Sequence, residues 1–309
     1  MIYATSSFFV RVSIFLRERI PPLPLIIQSL FLSFGIGLSY SLLESVPLLE
    51  MKVPLIGIFL GSFALSVVVR VIDEFKDKDD DKILFPERCL PSGRVLYSDI
   101  KVLGWFSLSF FIILNIFLGQ AYLQLFFLLF YFFLFSKWCF LPEKWRGDLI
   151  IILITHNPIG LFVGLYFLSF LSSAFGGKHL TFNHYLLSIG FWLPTFAWEV
   201  ARKIKAPEEE NDYKTYSQRF GIKKALLFPI LALGFQCFIF YLLFADFFKE
   251  TYWAFNMFFS YLVYVAFCLL FAFRPSPKLS KMLRPMTELY LFILNVILII
   301  FGLKVAFLF

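Results

Sequence analysis

Five aspartates and one glutamate lie within residues 73–81, and their spacing suits metal chemistry. Asp73, Asp77 and Asp81 are four residues apart, so on a helix they fall within a stripe of roughly 80°. Like charges at this spacing repel one another, and a membrane boundary adds a desolvation cost. We therefore expect a cation to compensate these carboxylates.

The nature of that cation follows from ligand chemistry. Mg²⁺ usually takes one or two carboxylates and fills its remaining sites with water and phosphate oxygens. The segment is thus a candidate site for Mg²⁺ bound to a diphosphate. The alternative is a solvated loop whose charges are balanced by Lys76, Lys78 and Lys82. The four-residue repetition, directly after an apolar run, favours the metal site.

A second polar cluster ends a later apolar run. It contains Glu199, Arg202 and Lys203, of which Glu199 and Lys203 are four residues apart and could simply pair with each other. Three consecutive glutamates follow Pro207, and we interpret them as solvated loop charges. They are Glu208, Glu209 and Glu210.

Two polar residues lie inside another apolar run. His156 and Asn157 precede Pro158, about two helical turns into that run. Polar residues within a membrane are functional candidates by default. Asn157 could instead satisfy backbone groups that Pro158 leaves without partners. Both interpretations stay open at this stage.

The elements that must position these residues are apolar helices. Of the 309 residues, 60% are hydrophobic and only 16% are charged, and the mean hydropathy is +0.81. Soluble domains carry roughly a quarter charged residues, so lipid must solvate the excess apolar surface. A transmembrane helix needs about 20 apolar residues. The nine predicted spans are 25–43, 54–72, 102–119, 121–141, 149–171, 183–201, 224–244, 252–273 and 287–307.

The basic residues support this division. With nine spans, all but four of the 28 Lys and Arg residues fall on one side of the membrane. Cytoplasmic loops carry such an excess, so we predict a cytoplasmic amino terminus and cytoplasmic polar loops near 73–100 and 202–222. The four exceptions are Lys52, Lys178, Lys249 and Lys304.

The rest of the chain adds few signals. We expect a single membrane domain over 1–309, with residues 1–20 as a candidate amphipathic helix at the interface. The four cysteines show no metal-ligand or paired spacing, and we expect them to be unpaired. The sequence carries no phosphate-binding loop, no nucleophile motif and no basic stripe of the kind that binds nucleic acid.

The acidic segment resembles a motif of the UbiA superfamily of intramembrane prenyltransferases. That family carries N-D-x-x-D-x-x-x-D at the end of its second helix, followed by a basic segment that ends in R-P. Here Asp73 replaces the Asn and Glu74 replaces the first Asp, and the segment 85–94 is similar to the basic segment, with Cys89 where Pro is usual. The nine spans and the second polar loop fit the same family, which implies an all-α bundle of about nine transmembrane helices.

The second motif departs from the family, which usually has further aspartates there. Glu199 stands where the first is expected, and Arg202 and Lys203 replace later acidic positions. A diphosphate can be neutralised by fixed cations as well as by metal. Our hypothesis is that these two residues replace part of a second Mg²⁺.

The resemblance, together with this chemistry, implies residue roles. Asp77 and Lys203 would be catalytic, and His156 and Asn157 would belong to a candidate acceptor pocket. The implied Mg²⁺ ligands are Asp73, Glu74, Asp77, Asp81 and Glu199. The implied diphosphate-binding residues are Arg88, Arg94, Arg202 and Lys203.

The implied activity is Mg²⁺-dependent transfer of a prenyl group from a prenyl diphosphate to an unidentified acceptor, at the cytoplasmic face of the cell membrane and in contact with its lipids. Two alternatives stay open. One is different chemistry within the family, such as terpene cyclisation or phosphoribosyl transfer to a polyprenyl phosphate. The other is a multi-pass transporter, although transporters usually place ionisable residues near the midplane.

Overall fold

The protein is built from helices. The structure, a computed structural model, describes residues 6–177, 179–210, 214–248 and 252–306, and these include no strand. Lys178, Lys249 and the last residue of the ninth predicted span lie outside the described residues. The α-helices, in chain order, are α1 (Phe8–Arg19), α2 (Pro22–Glu44), α3 (Lys52–Lys76), α4 (Lys78–Leu84), α5 (Tyr97–Leu114), α6 (Tyr122–Ser136), α7 (Glu143–Arg146), α8 (Leu149–His156), α9 (Ile159–Ala174), α10 (Phe182–Ala201), α11 (Tyr216–Phe220), α12 (Ile222–Phe248), α13 (Trp253–Phe273) and α14 (Pro277–Ala306).

Seven helical segments of the described chain are long and apolar enough to cross a bilayer. A further apolar helix, α6, has only 15 residues, fewer than the roughly 20 that a perpendicular span needs. The predicted all-α polytopic fold is therefore confirmed, whereas the count of nine stays a prediction. The seven segments are Pro22–Glu44, Leu48–Lys76, Tyr97–Gly119, Leu149–Ala174, Ile222–Asp246, Trp253–Phe273 and Pro277–Lys304.

Two of these segments depart from a regular α-helix. The chain turns between α5 and α6 after a π-helical turn (Asn115–Gly119), and Gln120 takes a left-handed conformation with φ 50°. The fifth predicted span is not one continuous helix, because α8 ends at His156 and α9 begins at Ile159. Pro158 has no N–H to donate, which explains the break.

The helices α3 and α10 are held by shared neighbours. Both pack against α2 and α9. Both also end on one side of the bundle, which we call the polar face: the side where α3, α6 and α10 end and where α5, α8 and α14 begin. The polar face therefore contains both polar clusters that the sequence predicts.

The amino-terminal helix α1 docks on this face of the bundle. Phe15 is fully buried and shares a small apolar cluster with Val71 of α3, Leu90 of the following loop and Ile100 of α5. The predicted helix near the amino terminus is present, and it packs against protein along one side. Its position at the membrane interface stays a prediction.

Candidate functional site at the polar face

The acidic segment begins on α3 and continues onto α4. The carbonyl of Asp73 accepts the N–H of Asp77, and the carbonyl of Asp77 accepts the N–H of Asp81, each at 2.8 Å. Asp77 itself leaves the helical conformation, with φ −94° and ψ 10°, and separates the two helices. The expected single helical stripe is therefore interrupted at its middle member, although the four-residue hydrogen bonding continues through it.

Two of the acidic residues are buried and held by arginines. Glu74 Oε1 lies 2.6 Å from Arg19 Nε and 2.7 Å from Arg70 Nη2. Asp81 lies 2.7 Å from Arg88 Nη1 and 3.7 Å from Arg19 Nη2. A carboxylate whose oxygens already meet guanidinium groups has less capacity to bind a metal. Their role as ligands stays a prediction.

The other two predicted metal ligands of this segment, Asp73 and Asp77, face a lysine. Lys76 Nζ lies 2.9 Å from Asp73 Oδ1 and 4.0 Å from Asp77 Oδ1. The same ammonium lies over the rings of Phe135 and Trp138, at 4.2 and 4.9 Å from their centroids. Asp73 and Asp77 remain 30% and 40% exposed, so their free oxygens can reach a ligand from solvent.

The environment of Asp77 disfavours its negative charge. Burial at the junction of α3 and α4, together with the carboxylates of Asp73, Asp81 and Asp80, raises the pKa of Asp77 to about 6, although Lys76 acts in the opposite direction. A carboxylate in such a position gains stability from any further cation.

These observations test whether the site suits Mg²⁺. Among the described residues, no three His, Cys, Asp or Glu side chains converge as a ready-made metal site. Mg²⁺ does not require one, since it typically binds one or two carboxylates and completes its shell with water and phosphate oxygens. Asp73 and Asp77 supply such a pair, and the Lys76 ammonium already stands between them in the place of a cation. The residues therefore fit the ion.

The loop between α4 and α5 carries the two predicted diphosphate-binding arginines. Arg88 binds Asp81 and stacks over Phe85, with its guanidinium carbon 3.6 Å from the ring centroid. Arg94 pairs with Glu18 of α1 and donates a hydrogen bond of 2.8 Å to the carbonyl of Glu87. Both arginines thus stabilise the loop, and their contact with diphosphate stays a prediction.

The second cluster forms a compact ion network at the end of α10. Arg202 donates to both carboxylate oxygens of Glu199, at 2.6 and 2.8 Å, and Lys203 Nζ lies 3.0 Å from Oε1. The pairing of Glu199 with Lys203, which the four-residue spacing allowed, is what the structure shows. The ligand role of Glu199 stays a prediction.

The three loop glutamates differ from one another. Glu210 accepts hydrogen bonds from the hydroxyls of Thr215 and Ser217, and so ties the loop to α11. Glu209 lies 3.9 Å from Lys281, while Glu208 is exposed. The interpretation as plain solvated charges is therefore wrong for Glu210, because it is the hydrogen-bond acceptor that closes this loop, and for Glu209, whose side chain is only 16% exposed.

His156 and Asn157 lie at the break between α8 and α9. Asn157 accepts a hydrogen bond of 2.7 Å from the indole of Trp192, and so fixes the break against α10. The His156 ring packs edge-on against Phe135 and Trp138. It is buried, and its Nε2 atom has no hydrogen-bond partner among the described residues.

His156 also lies beside the first cluster. Its ring packs against Phe135 and Trp138, the same two rings that the Lys76 ammonium lies over. The structure therefore brings Lys76 and His156 to one aromatic region. The turn at Trp138 and Cys139, which takes left-handed φ values of 54° and 52°, turns the indole toward this region.

Two residues of this arrangement were missed by reasoning from the sequence. Arg19 contacts Glu74, 55 positions later in the chain, and also Asp81, and no spacing rule links such distant residues. The sequence presents Lys76 only as a charge that balances nearby carboxylates, whereas its side chain is 93% buried among the two aspartates and two aromatic rings.

Comparison with known proteins identifies the family. One solved structure, from work on digeranylgeranylglyceryl phosphate synthase in membranes, superposes with a TM-score of 0.64 at 17% identity and covers 96% of this chain and 99% of the other. That likeness shows the fold. The comparison with curated proteins found no significant match. The profile of the UbiA prenyltransferase family matches residues 30–296, most of the chain, and the protein therefore belongs to the UbiA prenyltransferase family.

Proposed function

We propose that this protein is a Mg²⁺-dependent intramembrane prenyltransferase that cleaves a prenyl diphosphate at the polar face and transfers the prenyl group to an acceptor. The observation that carries the proposal is the pair of half-exposed carboxylates, Asp73 and Asp77, beside a buried lysine and an aromatic wall. We also propose that the polar face is cytoplasmic, which the distribution of Lys and Arg supports.

The binding step needs both signs of charge. Asp73 and Asp77 would hold Mg²⁺, whose positive charge would help neutralise the diphosphate leaving group. Lys203, held by Glu199, and Arg202 supply fixed positive charge from the opposite cluster. Preorganised cations of this kind stabilise the charge that develops as the carbon–oxygen bond breaks.

The transfer step needs a dry, aromatic environment. The rings of Phe135 and Trp138 already bind a cation, Lys76, through their π faces. The parts of these rings that Lys76 leaves uncovered can attract an allylic carbocation and exclude water from it. His156 Nε2 is free to accept a hydrogen bond from the acceptor substrate, which supports its proposed place in the acceptor pocket.

A labelled-product assay tests this function. Protein in nanodiscs would be incubated with Mg²⁺ and with geranyl, farnesyl or geranylgeranyl diphosphate. The acceptor arms would be a prenylated glyceryl phosphate, an aromatic hydroxy acid and no acceptor. We expect diphosphate release and a heavier, prenylated product by mass spectrometry in at least one acceptor arm.

The matched variants are Asp77→Asn and Asp79→Asn. Asp79 lies in the same segment, but its side chain is 91% exposed and, among the described residues, pairs only with Lys82, so its variant controls for net charge. Loss of transfer in Asp77→Asn with transfer kept in Asp79→Asn supports the proposal. Equal turnover in the two variants contradicts the role of Asp77. A cyclised or phosphoribosylated product would show that the protein catalyses one of the alternative chemistries and not prenyl transfer.

A further inference from the structure

One residue of the acidic segment occupies the position that a metal ion would need. The Lys76 ammonium is 2.9 Å from Asp73 Oδ1 and 4.0 Å from Asp77 Oδ1, so it lies between the two most accessible carboxylates of the proposed metal site. Glu74 and Asp81 are instead held by arginines. The place between Asp73 and Asp77 is thus the one most open to an exchange of cations.

The surroundings show that this position of Lys76 is built into the fold. Its side chain is only 7% exposed, whereas lysines normally keep their ammonium in water. Two aromatic rings, those of Phe135 and Trp138, cover its other side at cation–π distance. Ion pairing and cation–π attraction together replace the water that the ammonium gives up.

The neighbouring lysine provides a natural comparison. Lys78 follows Asp77 directly in the chain, yet its ammonium lies over the Tyr97 ring at 4.6 Å. The two lysines therefore have the same charge and flank the same aspartate, and Lys76 is the one placed between Asp73 and Asp77. This difference allows the effect of position to be separated from the effect of charge.

We propose that Lys76 is a resident cation of the metal site, which holds Asp73 and Asp77 in the absence of metal and competes directly with Mg²⁺ for them. This inference rests on the proposed function, since it assumes that these aspartates bind Mg²⁺. A lysine has a flexible stem, so the ammonium displaced by Mg²⁺ can turn toward an incoming diphosphate. The free enzyme would then hold metal weakly, and metal and diphosphate would bind best together.

The competition is measurable with metal alone. Mn²⁺ suits carboxylate sites and can be counted by electron paramagnetic resonance, so it would be titrated into purified protein without substrate. The variants are Lys76→Met, which keeps the aliphatic packing, Lys78→Met as the charge-matched control, and Asp77→Asn. Two unit charges a few ångströms apart near a protein surface repel by more than the energy of a tenfold change in binding, so we expect Lys76→Met to bind Mn²⁺ roughly tenfold more tightly than the wild type.

The controls separate this inference from the proposed function. Lys78→Met should change the affinity by less than about twofold, because its ammonium lies over Tyr97. If Lys76→Met fails to fold, Lys76→Gln replaces it in the same titration.

The outcomes distinguish the two proposals. Tighter Mn²⁺ binding in Lys76→Met than in the wild type, together with loss of binding in Asp77→Asn, supports both proposals. Binding that depends on Asp77 but is equal in the wild type and Lys76→Met overturns the competition alone. Mn²⁺ binding that is unchanged in Asp77→Asn, or that is absent from the wild type and all variants, contradicts the metal site and therefore the proposed function.

Discussion

The Nε atom of Arg19, on the amino-terminal helix, lies 2.6 Å from Oε1 of Glu74 at the end of α3. The same guanidinium reaches Asp81 on α4 at 3.7 Å. One arginine therefore holds both sides of the break at Asp77. Arg11 of the same helix pairs with Asp99 at the start of α5. These contacts make α1 a structural part of the candidate site.

Replacing Arg19 by Ala should therefore destabilise the site. Glu74 keeps Arg70 as a partner, so the loss is partial, and we expect a cost of about 1–3 kcal/mol for the weakened buried pair. Prenyl transfer should fall as well, because Asp77 loses the support that fixes the two helices beside it. Thermal unfolding in detergent and steady-state transfer rates measure the two effects. Arg17→Ala, on an exposed position of the same helix, should change neither, and an Arg19→Ala protein as stable and active as this control would contradict the assignment.

The sequence predicts the location of this site better than its internal contacts. Long apolar runs and the charges at their ends define where α3 and α10 finish, because hydropathy and charge are properties of the sequence itself. The pairing of Arg19 with Glu74 depends on the docking of α1 by Phe15, and that packing has no sequence signal. The position of Lys76 depends likewise on two rings from α6 and the turn after it.

The ion network around Glu199 leads to a second prediction. Glu199 holds Arg202 and Lys203 in place, so Glu199→Gln should leave both cations less ordered. We expect the KM for prenyl diphosphate to rise about tenfold to a hundredfold, the effect of losing one charged hydrogen bond, while the affinity for Mn²⁺ stays unchanged. Steady-state kinetics and a Mn²⁺ titration measure these separately. A weaker Mn²⁺ affinity with an unchanged KM would instead assign Glu199 to the metal.

A third prediction concerns the polar face away from the acidic segment. Asp148 caps α8 by accepting the N–H groups of Ile150 and Ile151, and it pairs with Arg219 of α11 at 2.6 Å. Asp148→Ala should lower the free energy of unfolding by about 1 kcal/mol or more through loss of the cap. Asp148→Asn keeps a capping oxygen and should lose less. Equal unfolding temperatures for the two variants would contradict the role of the cap.

The ion pair of Asp148 also leads to a prediction about the pH dependence of stability. The Arg219 guanidinium, followed by the N–H groups of Ile151 and Ile150, holds the pKa of Asp148 below its usual value of 3.8. Because the folded pKa is the lower one, the stabilising effect is complete above pH 3.8 and is lost as the pH falls through the folded pKa. The difference in unfolding temperature between wild type and Asp148→Asn should therefore be constant near neutral pH and shrink below about pH 4. A difference that persists unchanged in acid would show that charge plays no part.

The neighbours of His156 indicate which of its ring nitrogens carries the proton. The hydroxyl of Thr155 donates its proton to the carbonyl of Ile151 at 2.6 Å and lies 2.8 Å from His156 Nδ1. A hydroxyl has one proton, so the second contact requires Nδ1 to be the donor. The remaining nitrogen, Nε2, then carries a lone pair that is buried and has no partner among the described residues. It is ready to accept a hydrogen bond from a hydroxyl group.

This geometry predicts which of the two KM values changes in His156 variants. His156→Leu removes the lone pair, so the KM for the acceptor should rise about threefold to tenfold, the effect of one neutral hydrogen bond, while the KM for prenyl diphosphate stays constant. His156→Gln can place an amide oxygen near the same position and should recover most of the loss. Initial rates with each substrate varied in turn would measure both constants. If the two variants behave alike, or if the KM for the diphosphate rises instead, His156 acts through the packing of Phe135 and Trp138 and not through Nε2.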